Sequence, residues 1–242
     1  MLRKGGKTEK RLKKLFRNFY SPADADNFGI RLPLKHPAIT PPIRRDIYFG
    51  EYERKEVEII RQRLTNNDIV MEVGAGIGFL SAFCARAIGG QRVFAYEANP
   101  ALMDVIRQIH TDNGVAPTVK NVLLGQGDGE REFFLEKDFW ASSLIRSDST
   151  TEVIRVPQID LNAEINRVAP SFLIVDIEGG EYEFFQLADL AKVQKICVEV
   201  HPHVLGNRSI SEIVARLIDQ GFSLDFGCMR KNVLFFSREA TL

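Results

Sequence analysis

The sequence predicts an α/β fold: a doubly wound sheet, mostly parallel, that closes with a C-terminal antiparallel hairpin strand. Three observations carry the prediction. From about residue 53 onward, short apolar runs alternate with segments of helical period. The run Phe172 to Val175 is apolar at every position, as a parallel strand covered on both faces requires. The final two strand candidates are joined by a link too short for a crossover. With 242 residues, 45% apolar and 26% charged, the chain can bury a sizeable core, and a disordered or collagen-like chain is excluded.

Residues 1 to 20 hold eight Lys or Arg and one acid, Glu9. Leu12, Leu15, Phe16 and Phe19 share one helical face. Such a basic helix suits packing on its own domain or on a dimer mate with its lysines solvated, or peripheral contact with an anionic membrane surface. Residues 21 to 50 contain Pro22, Pro33, Pro37, Pro41 and Pro42, which predicts an extended connector with little regular structure. The expected organisation is a basic helix and proline-rich connector over 1–50 and the α/β domain over 51–242.

Within that domain Val57, Ile60 and Leu64 predict a helix over about 53–64, and Ile69 to Val73 a short buried strand ending in glycines. Phe79, Leu80, Phe83, Cys84, Ala87 and Ile88 stripe the next helix, and Arg92 to Tyr96 reads as a strand. Asn99 and Pro100 supply an N-cap and a first-turn proline for a helix carrying Leu102, Val105, Ile106 and Ile109. Val119 to Leu124 is the next strand, followed by a turn at Gly125 to Gly129 and a β-rich excursion through Phe133, Phe134 and Val153 to Val156. A helix over about 180–190 links Phe172–Val175 to a strand at Lys195 to Val200. Ser209 and Glu212 form a capping box for a helix that buries Ile210, Ile213, Val214, Leu217 and Ile218, with Gly221 at its C-cap. Strands at about 222–227 and 232–237 complete the chain.

The 32 basic and 32 acidic residues cancel overall, but outside residues 1–20 they stand at 24 against 31. An acidic body speaks against a nucleic-acid-binding core. No run approaches the roughly 18 apolar residues of a membrane span, and no secretory h-region is present at the N-terminus. Cys84, Cys197 and Cys228 are too few and too scattered for a disulfide framework or a zinc cluster, so a reducing cytoplasm is the expected compartment.

The most informative stretch is Glu72-Val-Gly74-Ala75-Gly76-Ile-Gly78, between a buried strand and an amphipathic helix. Glycines there let the backbone approach a ligand closely, and the helix N-terminus points amide donors at it. The third glycine comes one position too early for the dinucleotide fingerprint G-x-G-x-x-G, and no Lys-Ser or Lys-Thr follows to make a P-loop. The next strand ends in Glu97, where a carboxylate accepts both hydrogen bonds of a ribose diol.

This E-x-G-x-G-x-G resembles motif I of class I S-adenosylmethionine-dependent methyltransferases. Gly50-Glu-Tyr52-Glu53, Trp140-Ala-Ser142-Ser143-Leu144, Gln158-Ile-Asp160-Leu161 and above all Ile174-Val-Asp176-Ile-Glu178-Gly179-Gly180-Glu181 look like the FkbM family of those enzymes, over about Gly50 to Ser237. The lysine that the family often carries just before the Asp176 element is absent. The resemblance implies a Rossmann-like methyltransferase sheet, S-adenosyl-L-methionine as cofactor, and O-methylation of a sugar or a sugar-containing or other secondary metabolite. It further implies that the glycine turn, with Ala75, passes under the methionine moiety and that Glu72 lies near the cofactor's charged end. The D-x-E-G element also differs from the Asp/Asn-Pro-Pro-aromatic turn of enzymes that methylate nucleic-acid bases, so the expected partner is a small hydroxylated acceptor.

Methyl transfer from a sulfonium is an in-line displacement, in which the protein holds the acceptor oxygen against the methyl carbon and removes its proton. In a doubly wound sheet the responsible groups gather beyond the carboxyl ends of the strands. Asp176 is expected to face cofactor and acceptor, with His201 or Glu181 as general base. Tyr52, Trp140, Ser142, Ser143 and Glu178 are candidates for the acceptor pocket. Asp176, Glu199 and His201 form an alternative, less favoured set for a divalent cation. Two other classes compete: an NAD-dependent oxidoreductase, disfavoured by the glycine spacing, and a catalytically silent nucleoside-binding module.

Overall fold

A computed structural model of the chain describes residues 22–136 and 150–238. In chain order its elements are β1 (Asp24–Asn27), β2 (Ile30–Pro33), α1 (Pro41–Phe49), α2 (Arg54–Arg63), β3 (Val70–Val73), α3 (Phe79–Ile88), β4 (Val93–Tyr96), α4 (Met103–Asp112), β5 (Thr118–Lys120) and β6 (Leu123–Gly125). There follow β7 (Gly129–Glu136), β8 (Thr150–Asp160), α5 (Leu161–Val168), β9 (Phe172–Val175), α6 (Glu181–Leu187), β10 (Lys195–Glu199), α7 (Pro202–Asp219), β11 (Ser223–Leu224) and β12 (Val233–Ser237).

Seven strands form the central sheet in the order β11-β12-β10-β9-β3-β4-β5. The run from β10 to β5 is parallel, and β12 runs antiparallel to both β10 and β11. Strand order reverses between β3 and β9, and ligands of doubly wound sheets bind at the crevice so made. Side chains alternate across the sheet. Val70, Phe172, Ile174, Cys197 and Phe235 pack under α1 to α4 on one face. Met71, Leu173, Val175, Val198 and Phe236 pack under α5 to α7 on the other. Both faces are covered, which is why these strands read as continuous apolar runs. A second sheet, β6-β8-β7, lies in the connection between β5 and α5.

The structure corrects four sequence expectations. Residues 22–50 are not an extended connector: β1 and β2 form an antiparallel hairpin, and Ile30, Leu32, Ile43 and Ile47 enter the same core as α3 and α4. Pro41 and Pro42 stand at the first helical positions of α1, where a missing N–H costs nothing. Residues 119–124 split between two sheets, because the Asn121 side-chain amide donates to the Glu97 and Ala98 carbonyls (2.7 and 3.1 Å) and turns the chain out of the central sheet. The helix expected over 180–190 ends at Leu187. Ser209 caps nothing: α7 begins at Pro202 and passes through a kink at Gly206 (φ 72°), so Ser209 is interior. Gly221 does close α7, in a Schellman arrangement with Gly221 N–H on the Ile218 carbonyl and Phe222 N–H on that of Leu217. The basic segment 1–20, with its expected membrane or dimer contact, lies outside the described residues, and among those described no helix is long and apolar enough to cross a membrane.

Candidate active site

The carboxyl ends of β3, β4 and β9 open into a cavity of about 960 Å³, counting its mouth, at the place where strand order reverses. Backbone forms its floor. Gly74 and Ala75 N–H both donate to the Tyr96 carbonyl, folding the turn onto β4. Gly74 has φ 87°, and a Cβ there would stand 1.7 Å from the Asp176 carbonyl oxygen, so no other residue fits. Glu97 holds the turn from the far side, accepting from Gly76 N–H (2.8 Å) and Asn99 N–H (2.7 Å). Burial raises its pKa to about 7, against the lowering effect of those amides.

Over this floor hang Tyr52 and Glu53, carried by the turn into α2. A Cβ on Gly76 would meet the Tyr52 hydroxyl at 3.5 Å, and the Tyr52 ring is anchored against Phe79. Tyr52, expected at the acceptor pocket, therefore roofs the glycine turn. Glu53 adopts a left-handed φ of 46°, and Glu178, across the cavity after β9, one of 47°. Non-glycine residues in that region cost of order 1–3 kcal/mol, and such strain concentrates at functional sites. The sequence gives Glu53 only a place in the Gly50-Glu-Tyr52-Glu53 element; its conformation is a signal that a linear pattern does not carry.

Among the expected site residues, the cavity is lined by Tyr52, Gly74, Gly76, Glu97, Asp176 and Glu178. Glu72, Ala75 and Gly78 stand behind it. Alternation along β3 turns the Glu72 side chain away from the cavity, where burial raises its pKa to about 8 although the Ser81 hydroxyl and amide favour the charged form. Trp140, Ser142 and Ser143 lie outside the described residues.

Glu181 and His201 also stand behind the lining. Glu181 is fully buried and accepts from His201 Nδ1 in a short hydrogen bond. His201 Nε2 faces Glu178 Oε2 at 3.3 Å and Asp176 Oδ1 at 3.6 Å. Burial alone would lower the His201 pKa, but Glu181, Asp176 and Glu178 together raise it to about 9. Both ring nitrogens of His201 face carboxylates, so neither it nor Glu181 reaches the cavity as a free base. Burial and the charge of Glu199 push Asp176 well above the usual carboxylate range. Farther from the floor, Arg131 of β7 makes a two-pronged pair with Glu183 of α6 (2.5 and 2.7 Å), tying the second sheet to the cavity wall. Neither residue belongs to a motif that sequence spacing could reveal.

The family model described as the Methyltransferase FkbM domain matches residues 72–224, well over half the chain. The chain belongs to the FkbM family of methyltransferases. No curated protein matches it. Similar solved structures include magnesium protoporphyrin IX methyltransferase from Synechocystis with bound S-adenosylmethionine (15% identity, 85% of this chain and 88% of that one, TM-score 0.46). Others are the ribosomal protein L11 methylase of Lactobacillus delbrueckii subsp. bulgaricus (12%, 79% and 80%, 0.46) and precorrin-6y C5,15-methyltransferase of Geobacter metallireducens (15%, 76% and 85%, 0.45). As an FkbM member the chain is an S-adenosylmethionine-dependent methyltransferase, and its matched segment holds Gly74, Gly76, Glu97 and Asp176 while leaving out Tyr52 and Glu53.

The residues present fit that cofactor. Glu53 Oε2 and Asp176 Oδ1, from two residues that line the cavity, are buried without a hydrogen-bond partner among the described residues. Glu53, Glu97, Asp176, Glu178 and Glu183 line the cavity with Arg131 as their one cationic companion among the described residues. A sulfonium with an α-ammonium group complements that charge, whereas a pyrophosphate would be repelled.

Proposed function

We propose that this FkbM-family enzyme transfers a methyl group from S-adenosylmethionine to a hydroxyl of a saccharide or of a sugar-containing or other secondary metabolite, in the cytoplasm. The observation that carries the reading is the convergence of the glycine turn, Glu97 and Asp176 on one acid-lined cavity where strand order reverses. The NAD-dependent alternative has no support in that cavity, because its acids oppose a dinucleotide's phosphates.

When bound, S-adenosylmethionine would supply an electrophilic methyl carbon on a cationic sulfur, which would keep the electron pair of the broken carbon–sulfur bond while the acceptor hydroxyl gave up its proton. The chain's own residues prepare this step. Gly74 and Gly76 bring backbone to the cofactor without side chains in the way, and Glu97 accepts from its ribose diol. Asp176, whose main chain packs against Gly74, lines the cavity beside the glycine turn, and it takes the acceptor's hydrogen bond and then its proton. His201 acts through Asp176, fixed by Glu181 so that Nε2 faces the carboxylate.

Calorimetry with S-adenosylhomocysteine and with NAD, followed by labelled-methyl transfer to nucleotide sugars, lipid-linked sugars and glycosylated metabolites, tests the reading. Micromolar binding of S-adenosylhomocysteine with label in an alkali-stable methyl ether is the expected result. Label recovered on nitrogen or in a carboxyl ester overturns the O-methylation, and binding without transfer to any acceptor makes the chain a silent module.

A further inference from the structure

Behind Asp176 the wall of the cavity is a cluster that the methyl-transfer chemistry above does not use in full. One ligand atom each from Asp176, Glu199 and His201 lie within 4.8 Å of one another, the spacing of groups that share one cation. Three different segments bring them together: Asp176 follows β9, Glu199 ends the neighbouring β10, and His201 precedes α7.

Two further observations point to a ligand. The first is the orientation of His201. Its Nδ1 is tied to Glu181, a carboxylate with no exposure at all, and its Nε2 faces Asp176; metal-bound histidines are held in this way, with the second ring nitrogen on a buried carboxylate. The second is a surplus of buried carboxyl groups. Glu56, only 2% exposed on α2, lies against Glu199, and neither of its carboxylate oxygens has a hydrogen-bond partner among the described residues. Asp176 Oδ1 and Glu181 Oε2 are also buried and unpartnered among those residues. Among the described residues the cationic groups facing Glu56, Asp176, Glu178, Glu181 and Glu199 are His201 and Lys55, whose Nζ lies 2.7 Å from Glu199, which also accepts from the Asn232 amide. Buried carboxylates in such excess call for a cation.

We infer that Asp176, Glu199 and His201 bind a divalent cation of the Mg²⁺ and Mn²⁺ class, with Glu181 orienting His201 and Glu56 supplying outer negative charge. Two carboxylates and one imidazole leave positions for water or hydroxyl oxygens, which suits these ions better than a thiolate-seeking metal. One Asp176 oxygen serves the cation and the other remains for the acceptor. As part of methyl transfer the inference rests on the proposed function; as a binding site it does not.

The test titrates the full chain with Mn²⁺ followed by EPR, and titrates S-adenosylhomocysteine into the same preparation with and without EDTA. One Mn²⁺ site is expected, with pulsed EPR showing coupling to a single imidazole nitrogen that disappears in His201→Gln. Glu181→Gln is expected to weaken the site about 10–100-fold, and Asp176→Asn or Glu199→Gln to abolish it. The nitrogen signature of the unaltered protein decides the matter even if a variant fails to fold. Absence of Mn²⁺ binding at millimolar concentration, or binding without nitrogen coupling, overturns the cation site and leaves His201 as a partner of Asp176 alone. S-adenosylhomocysteine bound in EDTA with no Mn²⁺ site refutes the cation only, whereas Mn²⁺ bound with S-adenosylhomocysteine rejected refutes the methyl-transfer reading only.

Discussion

The two walls of the cavity are made of different material. The glycine-turn wall is backbone: amides of Gly74, Ala75 and Gly76 committed to the Tyr96 carbonyl and to Glu97, at a place where Gly74 has no room for a Cβ. The opposite wall is side chain: Asp176, Glu178, Glu181, Glu199 and His201 set against one another after β9 and β10. A backbone wall recognises what every user of one cofactor shares, and tolerates almost no substitution. A side-chain wall can be re-chemicalised one residue at a time, so acceptor and mechanism are decided there.

The sharpest way to break the comparison is Gly74→Ala. Its added carbon would collide with the Asp176 carbonyl and impose a left-handed conformation as well, so a loss of at least ~3 kcal/mol is expected, lowering the melting temperature by roughly 6–12 °C and abolishing S-adenosylhomocysteine binding. Gly127→Ala is the control: φ is also positive (73°) but nothing lies within 4 Å, so a cost of only ~1–2 kcal/mol is expected in the same melt. Equal losses would refute the backbone account.

On the other wall, Asp176→Asn keeps the shape and removes the charge. Turnover should fall about 100-fold or more while S-adenosylhomocysteine affinity changes only a few-fold; unchanged turnover would take Asp176 out of the chemistry. Glu97 is a side chain placed on the backbone wall. Because its pKa stands near 7 and the ionised form accepts the diol, cofactor affinity should be full above pH 7 and fall below it. Glu97→Gln should bind about tenfold more weakly with a flat pH profile, as read by calorimetry across pH 5.5 to about 8.5.

The smallest effect concerns a carboxylate whose partners are complete. Glu164 accepts from Lys120 (2.6 Å), Tyr96 (2.6 Å) and Arg167 (2.8 Å), and Arg167 first among them, against the cost of burial, brings its pKa down to about 2. A lowered folded-state pKa gives stability that is full above the ordinary carboxylate range near 4.5 and is lost as pH falls toward 2. The melting-temperature gap between the unaltered chain and Glu164→Gln should therefore be present at pH 6 and close on acidification; a gap independent of pH would assign it to packing.

The backbone wall was legible in the sequence because it is local. Seven consecutive residues, Glu72 to Gly78, and the acid ending the next strand, Glu97, carry it, and strand, turn and helix follow from their pattern. The side-chain wall was legible only in part: Asp176, Glu178, Glu181 and His201 sit at strand ends, but Glu56 hides in a helix read by its apolar neighbours Val57 and Ile60, and its burial comes from α2 packing on β10. Proline misled for a related reason. Pro41 and Pro42 start α1, and only the contacts of Ile43 and Ile47 with the core distinguish a helix start from a connector. Asn121 breaks the strand expected over 119–124 through two hydrogen bonds to carbonyls more than twenty residues away.

Strand β12 lies between β10 and β11 and comes last in chain order among the described strands. Asn232, just ahead of it, donates to Glu199 (2.6 Å) and accepts at its carbonyl from Val200 N–H (2.9 Å). The residues of the glycine turn are therefore synthesised long before those that give the acidic wall its final support.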